Sequence, residues 1–161
     1  MERKRSSQAG FTLIELAIAI AVIAILVGAV AIGVGSLSRD AKVNNLVDFV
    51  DKYKSIIETA KLKCDLNALQ SAGTDATNIS TALQNCGVLN AGENLPTQVQ
   101  GATVSYDLTT VAKNGKYKIT ITNLGDTTTL LETAIEKKYN NTNICTADTT
   151  NASLTCTLPN G

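Results

Sequence analysis

Residues 9–38 read AGFTLIELAIAIAVIAILVGAVAIGVGSLS, an apolar run with one carboxylate, Glu15, near its head. No charged residue follows between Leu16 and Ser38. A run of this length reaches the roughly 20 apolar residues that an α-helix needs to cross a bilayer. A charged side chain at membrane depth is costly and tends to mark function rather than packing. The presence of Glu15 therefore calls for a functional explanation.

The composition excludes several classes of protein. The chain has 161 residues, with 14 basic and 14 acidic side chains and no His or Trp. This balance gives no case for general nucleic-acid binding, which usually accompanies a strongly basic domain. The absence of His removes the commonest general base and the commonest metal ligand.

No motif for catalysis or cofactor binding is present. The sequence has no Gly-rich phosphate loop, no nucleophile elbow and no zinc-ligand spacing. Asp107, Asp126 and Asp148 match no calcium-loop spacing, so we interpret them as solvated turn residues. The sequence therefore predicts a protein that is not an enzyme, with no catalytic residue, no cofactor and no metal.

The residues on either side of the apolar run predict export. Arg3, Lys4 and Arg5 precede the run, and basic residues tend to stay on the cytoplasmic side of a membrane. All four cysteines lie beyond the run. An even number of cysteines in an exported domain indicates two disulfides formed in an oxidising compartment, and four cysteines leave three pairings open.

The apolar run has three interpretations. It could be an ordinary signal peptide cut near Ala31, where AVA at 29–31 resembles a cleavage pattern, which would release a secreted binding domain. It could be an uncleaved anchor in which Thr12 and Glu15 form a capping box. The third interpretation uses the whole stretch GFTLIEL at residues 10–16, which resembles the opening motif of the type IV pilin family, including the pseudopilins.

This resemblance, to a type IVa-like prepilin, implies a processing site and three segments. In the family, a membrane peptidase cuts after the glycine and methylates the new terminal amine. The cut would fall after Gly10, and Phe11 would become the N-methylated N-terminus. Residues 1–10 would be the leader, residues 11–38 the transmembrane and filament-core half of a helix, and residues 39–161 a globular α+β head.

The resemblance also implies a role for Glu15 and a set of partners. Glu15 would pair with the Phe11 amine of a neighbouring subunit and set the register of a homopolymer. Within its own chain, Glu15 could instead neutralise the N-terminus of its own helix. The other partners would be the prepilin peptidase and methyltransferase, the inner membrane, and an assembly platform with a cytoplasmic ATPase. The product would be an extracellular pilus for adhesion, twitching motility or DNA uptake. A type II secretion pseudopilin or a minor pilin is the alternative.

The pattern beyond Ser38 predicts an α+β fold. Apolar residues recur every three or four positions and give one buried face to a helix that we expect from about Phe11 to about Leu69. These residues are Val43, Leu46, Val50, Tyr53, Ile57, Ala60 and Cys64. The helix should pack on an antiparallel sheet, as in the family.

The C-terminal half supplies the elements of that sheet. Two alternating stretches, 102–111 and 116–124, flank Asn114-Gly115 and predict a two-residue hairpin. We expect short helices near Asn78–Asn85 and over 127–141, the latter with Leu130, Leu131, Ala134 and Ile135 inward, and a last strand over 152–159. The family often staples its C-terminal region, which favours the disulfides Cys145–Cys156 and Cys64–Cys86.

Overall fold

The computed structural model describes residues 13–140 and 144–158, with only the backbone of residues 25–36. The predicted cleavage site at Gly10 and Phe11 lies outside the described residues, as does Thr12 of the capping box. The chain divides between Arg39 and Asp40 into two compact units. We call the unit from Asp40 onward the head.

Five helices, a 3-10 turn and five strands make up the described residues. They are α1 (Leu13–Lys63), α2 (Leu66–Ala72), α3 (Ala76–Asn85), β1 (Gln98–Val99), β2 (Ala102–Asp107), α4 (Val111–Asn114), β3 (Tyr117–Thr122), a 3-10 turn (Gly125–Thr127), α5 (Thr128–Tyr139), β4 (Cys145–Asp148) and β5 (Ser153–Leu158).

The strands form one antiparallel sheet in the order β1-β2-β3-β5-β4. Every second residue of the three central strands is buried, as expected where one face of a sheet covers a core. The α+β class with an antiparallel sheet is therefore confirmed, and it is consistent with the type IV pilin-like fold that the resemblance implied.

The head half of α1 supplies the other side of this core. The predicted stripe is correct from Val43 to Ala60, whose members are 0–7% exposed. Fully burying one such aliphatic side chain stabilises a fold by about 1.5–3 kcal/mol. The stripe and the inward residues of the sheet belong to one hydrophobic cluster.

The prediction that one helix continues to Leu69 is wrong beyond Lys63. Asp65 has an extended backbone and its side chain accepts a hydrogen bond from the backbone N–H of Asn67 at 2.8 Å. An aspartate in this position caps the start of a new helix, because it satisfies an N–H that has no partner within the helix. The chain therefore turns at Cys64 and Asp65, and α2 begins as a separate helix.

The predicted two-residue hairpin at Asn114-Gly115 is also wrong. The ladder between β2 and β3 stops at the pair Asp107 and Lys118, and the connection contains the short helix α4. Leu108 and Val111 in this connection are buried, which favours the longer path. Gly115 ends α4 with φ of 69°, a left-handed conformation that glycine adopts without strain.

The helix predicted over 127–141 is present as α5, with one residue misplaced. Leu131 and Ile135 are buried, whereas Leu130 is 47% exposed. The helix predicted near Asn78–Asn85 is present as α3, and the last strand is present as β5. Strands β1 and β4 were not expected from the sequence.

Candidate assembly site and its support in the head

The predicted assembly residue, Glu15, lies in the first turn of α1. An acidic side chain is favourable there because the helix dipole places partial positive charge at the N-terminus. The Glu15 side chain is exposed, and so are the apolar side chains that surround it in sequence. The large exposed ones are Leu13, Ile14, Leu16, Ile18, Ile20, Val22 and Ile23, at 50–88%.

The apolar half of α1 was also predicted to span a membrane. Within residues 13–140 and 144–158, leaving aside the side chains of residues 25–36, no helix has the length and apolar character needed to cross a bilayer. The membrane span over residues 11–38 thus stays a prediction.

An aromatic cluster holds the head half of α1 on the sheet. The ring of Tyr53 lies 4.8 Å from that of Tyr106 on β2 and 5.7 Å from that of Tyr117 on β3, centroid to centroid. The Tyr117 hydroxyl donates to the backbone oxygen of Lys54 at 3.4 Å and to Oε1 of Glu58 at 3.2 Å. Burial and the Glu58 carboxylate raise the pKa of Tyr117, so its hydroxyl stays protonated and can donate.

A polar contact joins α1 to the last turn of α5. The Tyr139 hydroxyl donates to Oδ1 of Asp51 at 2.9 Å, and Lys138 Nζ lies 3.3 Å from Oδ2. Lys54 Nζ lies 4.4 Å from the centroid of the Tyr139 ring. The hydrogen bond from Tyr139, helped by the charge of Lys138, lowers the pKa of Asp51. This contact fixes the end of α5 against the head half of α1.

Both favoured disulfides are present in the structure. Cys64–Cys86 joins the end of α1 to the end of α3, and Cys145–Cys156 joins directly opposed residues of β4 and β5. Cys64 and Cys86 are half-buried and line a groove with Ala68, Leu69 and Ala82, whereas Cys145 and Cys156 are buried. A disulfide typically adds about 2–4 kcal/mol to the stability of a small exported domain.

Asp107 and Asp148, which match no calcium-loop spacing, serve local turns. Asp148 accepts the backbone N–H groups of Thr150 and Asn151, and Asp107 accepts that of Thr109. In the part of the chain that the structure describes, no three His, Cys, Asp or Glu side chains lie where they could together hold a metal ion. The predicted site residues that the structure describes are thus Glu15 and the four cysteines of the two disulfides.

The residues that sequence reasoning missed are Asp51, Lys138 and Tyr139. Asp51 and Tyr139 lie 88 positions apart in the chain, so no local pattern connects them. The only available signal was that both Lys138 and Tyr139 fall in the last turn of a predicted helix, where a cation is favourable.

Comparison with known proteins finds a family match for the N-terminal segment but none for the head. Residues 5–31 match the family described as the prokaryotic N-terminal methylation motif. No curated protein and no solved structure matches the chain.

Proposed function

We propose that this chain, which carries the leader signature of type IV pilins and prepilins over residues 5–31, is the precursor of a pilus subunit. This signature points to a structural protein rather than an enzyme. The precursor would lie in the inner membrane with a cytoplasmic N-terminus, and residues 11–38 would form the span. The prepilin peptidase would cut after Gly10 and methylate the amine of Phe11.

The observation that carries the proposal is the match over residues 5–31. It covers Arg5 of the basic leader, the Gly10-Phe11 bond and Glu15 together. An ordinary signal peptide requires neither a Gly-Phe bond nor an acid four residues beyond it. The match therefore favours a prepilin over a secreted domain released near Ala31.

The assembly step follows from the chemistry of Glu15. Apolar faces such as those of Leu16 and Ile18 supply adhesion between helices but little axial register. A charged side chain at membrane depth costs about 2.5–3.5 kcal/mol on insertion scales, and a positive partner relieves that cost at one axial offset only. Glu15 would find such a partner in the methylated Phe11 amine of an adjacent copy, which makes the pair a register device.

We also propose which kind of pilin the chain is, namely a subunit of an extracellular fibre. An extracellular fibre used in adhesion, twitching motility or DNA uptake needs many copies, driven through an inner-membrane platform by a cytoplasmic ATPase. The presence of Glu15 favours a subunit within the fibre. In a tip subunit, Glu15 would have no neighbouring subunit above it whose Phe11 amine it could neutralise. A type II secretion pseudopilin or a minor pilin shares the same N-terminus and is the alternative.

Mass spectrometry of the mature N-terminus tests the proposal. A chain that begins with N-methylated Phe11 supports it, whereas a chain that begins at Ile32 overturns it in favour of simple secretion. The amount of the chain in sheared surface fibres then separates a major subunit from a minor one or a pseudopilin.

A further inference from the structure

Within residues 13–140 and 144–158, strand β4 forms one edge of the sheet and pairs on one side only, with β5. The backbone N–H of Thr157 donates to the oxygen of Ile144 at 2.8 Å. In an antiparallel ladder, successive residues direct their backbone N–H and C=O groups alternately toward the partner strand and away from it. The backbone groups of Thr146 and Asp148 therefore also point toward β5. The N–H groups of Cys145 and Ala147 must then point away from β5, toward the outer edge.

The Cys145–Cys156 disulfide supports this assignment. Directly opposed residues approach each other more closely, at about 4.5 Å between Cα atoms, in the pairs that do not exchange hydrogen bonds. The Cα atoms of Cys145 and Cys156 lie 4.0 Å apart. This disulfide also prevents β4 from sliding along β5, so the outer edge of β4 presents a fixed set of backbone groups.

A carboxylate from α5 occupies this edge. Oε1 of Glu132 accepts the backbone N–H of Ala147 at 3.0 Å. Glu132 is half-buried, and the neighbouring residues Leu131 and Ile135 are buried in the core. Because those two side chains fix the rotation of α5, the Glu132 carboxylate is held beside β4.

We propose that Glu132 acts as a stopper on the outer edge of β4 and prevents a strand of a second copy from pairing there. An exposed edge strand offers unpaired N–H and C=O groups to any other chain. An N–H that already donates to a carboxylate cannot form the next rung of a ladder. A strand laid over the edge would also bury the charge of Glu132, which is costly unless the charge is paired.

The proposed function explains why such a stopper matters, although the contact itself lies within the head. Subunits of a fibre are held close together, so an open edge would meet another open edge at high local concentration. Pairing of two β4 edges would compete with the register that Glu15 sets. The stopper thus keeps the heads from joining through their sheets.

Three variants of the full-length chain, purified in detergent, test the stopper. Glu132→Ala removes the acceptor, Glu132→Gln keeps an amide oxygen in its place, and Glu136→Ala removes the same charge one turn further along α5. We expect Glu132→Ala to speed hydrogen exchange at the Ala147 amide by about tenfold, as fits the loss of one hydrogen bond to a charged group. In Glu132→Gln and Glu136→Ala, the Ala147 amide should exchange at the wild-type rate.

Self-association separates a stopper from a contact that only positions β4. We expect Glu132→Ala to form dimers and larger species in sedimentation experiments at concentrations where wild type, Glu132→Gln and Glu136→Ala do not. Faster exchange without association would overturn the proposal, as would equal association of Glu132→Ala and Glu136→Ala. An unchanged Ala147 exchange rate in Glu132→Ala would also overturn it. None of these outcomes affects the mature N-terminus, so the proposed function is tested separately.

Discussion

The ring of Tyr53 on α1 lies 4.8 Å from the ring of Tyr106 on β2 and is tilted by 42° to it. The ring of Tyr117 on β3 forms an edge-to-face pair with that of Tyr53, at an interplanar angle of 82°. Pairs of aromatic rings in such tilted arrangements stabilise by about 0.5–1.5 kcal/mol beyond the area that they bury. The three rings therefore form the central contact between the long helix and the sheet.

The first prediction concerns the hydroxyl of Tyr53. This hydroxyl is buried and, among the described residues, has no hydrogen-bond partner. The hydrogen bonds that it makes to water in the unfolded chain are therefore not replaced on folding. We expect Tyr53→Phe to keep the free energy of unfolding or to raise it by about 1 kcal/mol, because an unsatisfied polar group is removed while the ring stays. Urea unfolding of the purified chain measures the change.

Tyr117→Phe is the matched control for this prediction. It removes a hydroxyl that donates to Lys54 and Glu58, and we expect it to lower the free energy of unfolding by about 1 kcal/mol. A greater loss in Tyr53→Phe than in Tyr117→Phe would contradict the account of the cluster.

The second prediction concerns pH and Asp51. The hydrogen bond from Tyr139 lowers the pKa of Asp51 in the folded chain below its usual value of 3.8. Its ionised form therefore stabilises the fold fully above the unfolded pKa, and this stabilisation is lost as the pH falls through the lower folded pKa. We expect the difference in stability between wild type and Asp51→Asn to shrink as the pH falls below 3.8.

Unfolding by urea at neutral and acid pH measures this difference. The effect should be modest, because the Asp51 side chain is 48% exposed and solvent screens its charge. Asp48→Asn is the control, since Asp48 is more exposed and lies 3.8 Å from Lys138 without a bond to Tyr139. An equal pH dependence in both variants would count against the role of Tyr139.

The third prediction orders the two disulfides by their reactivity. Cys64 and Cys86 are half-buried beside an open groove, whereas Cys145 and Cys156 are 6% and 0% exposed. A small dithiol can reach the first pair in the folded chain but reaches the second only after local opening. We expect Cys64–Cys86 to be reduced at least about tenfold faster, since an opening cost of about 1.4 kcal/mol already gives that factor.

Alkylation of the released thiols, followed by peptide mass spectrometry, follows both bonds in one sample. Reduction of Cys145–Cys156 at the same rate would show that the β4–β5 hairpin opens freely. In urea the two rates should converge, because both pairs are then exposed.

The fourth prediction concerns Glu15. We expect Glu15→Ala to allow leader removal, because the Gly10-Phe11 bond is unchanged, but to lower the yield of sheared fibres by at least about tenfold. The reason is the loss of a charge pair that offsets about 2.5–3.5 kcal/mol at membrane depth. Asp40→Ala removes an exposed acid further along α1 and should leave the yield unchanged. A normal yield from Glu15→Ala would contradict the register role.

The buried face of α1 could be predicted because its signal is local and repeated. Residues such as Leu46, Val50 and Tyr53 recur at helical spacing, and all of them are buried. The end of α1 was missed because a single side-chain hydrogen bond at Asp65 decides it within an otherwise helical pattern. The signal was present, since aspartate is a favoured N-cap, but the continuing apolar spacing concealed it.

The elements that could not be predicted depend on contacts between distant residues. Strand β4 has only the residues Cys145–Asp148. It is held in place by its pairing with β5 on one side and by the hydrogen bond to Glu132 on the other. The Asn114-Gly115 pair carries a strong local turn signal, yet the burial of Leu108 and Val111 decides the connection. At the candidate site, Glu15 could be recognised from its motif, whereas the partner proposed for it belongs to another copy.

The order of the strands has a consequence for biosynthesis. Among the strands that the structure describes, β5 is the last to be made, yet it lies between β3 and β4 in the sheet. Until residues 153–158 have left the ribosome, β4 has no strand to join and one side of β3 stays open. The central part of the sheet is therefore completed only when its last strand in the chain has been made.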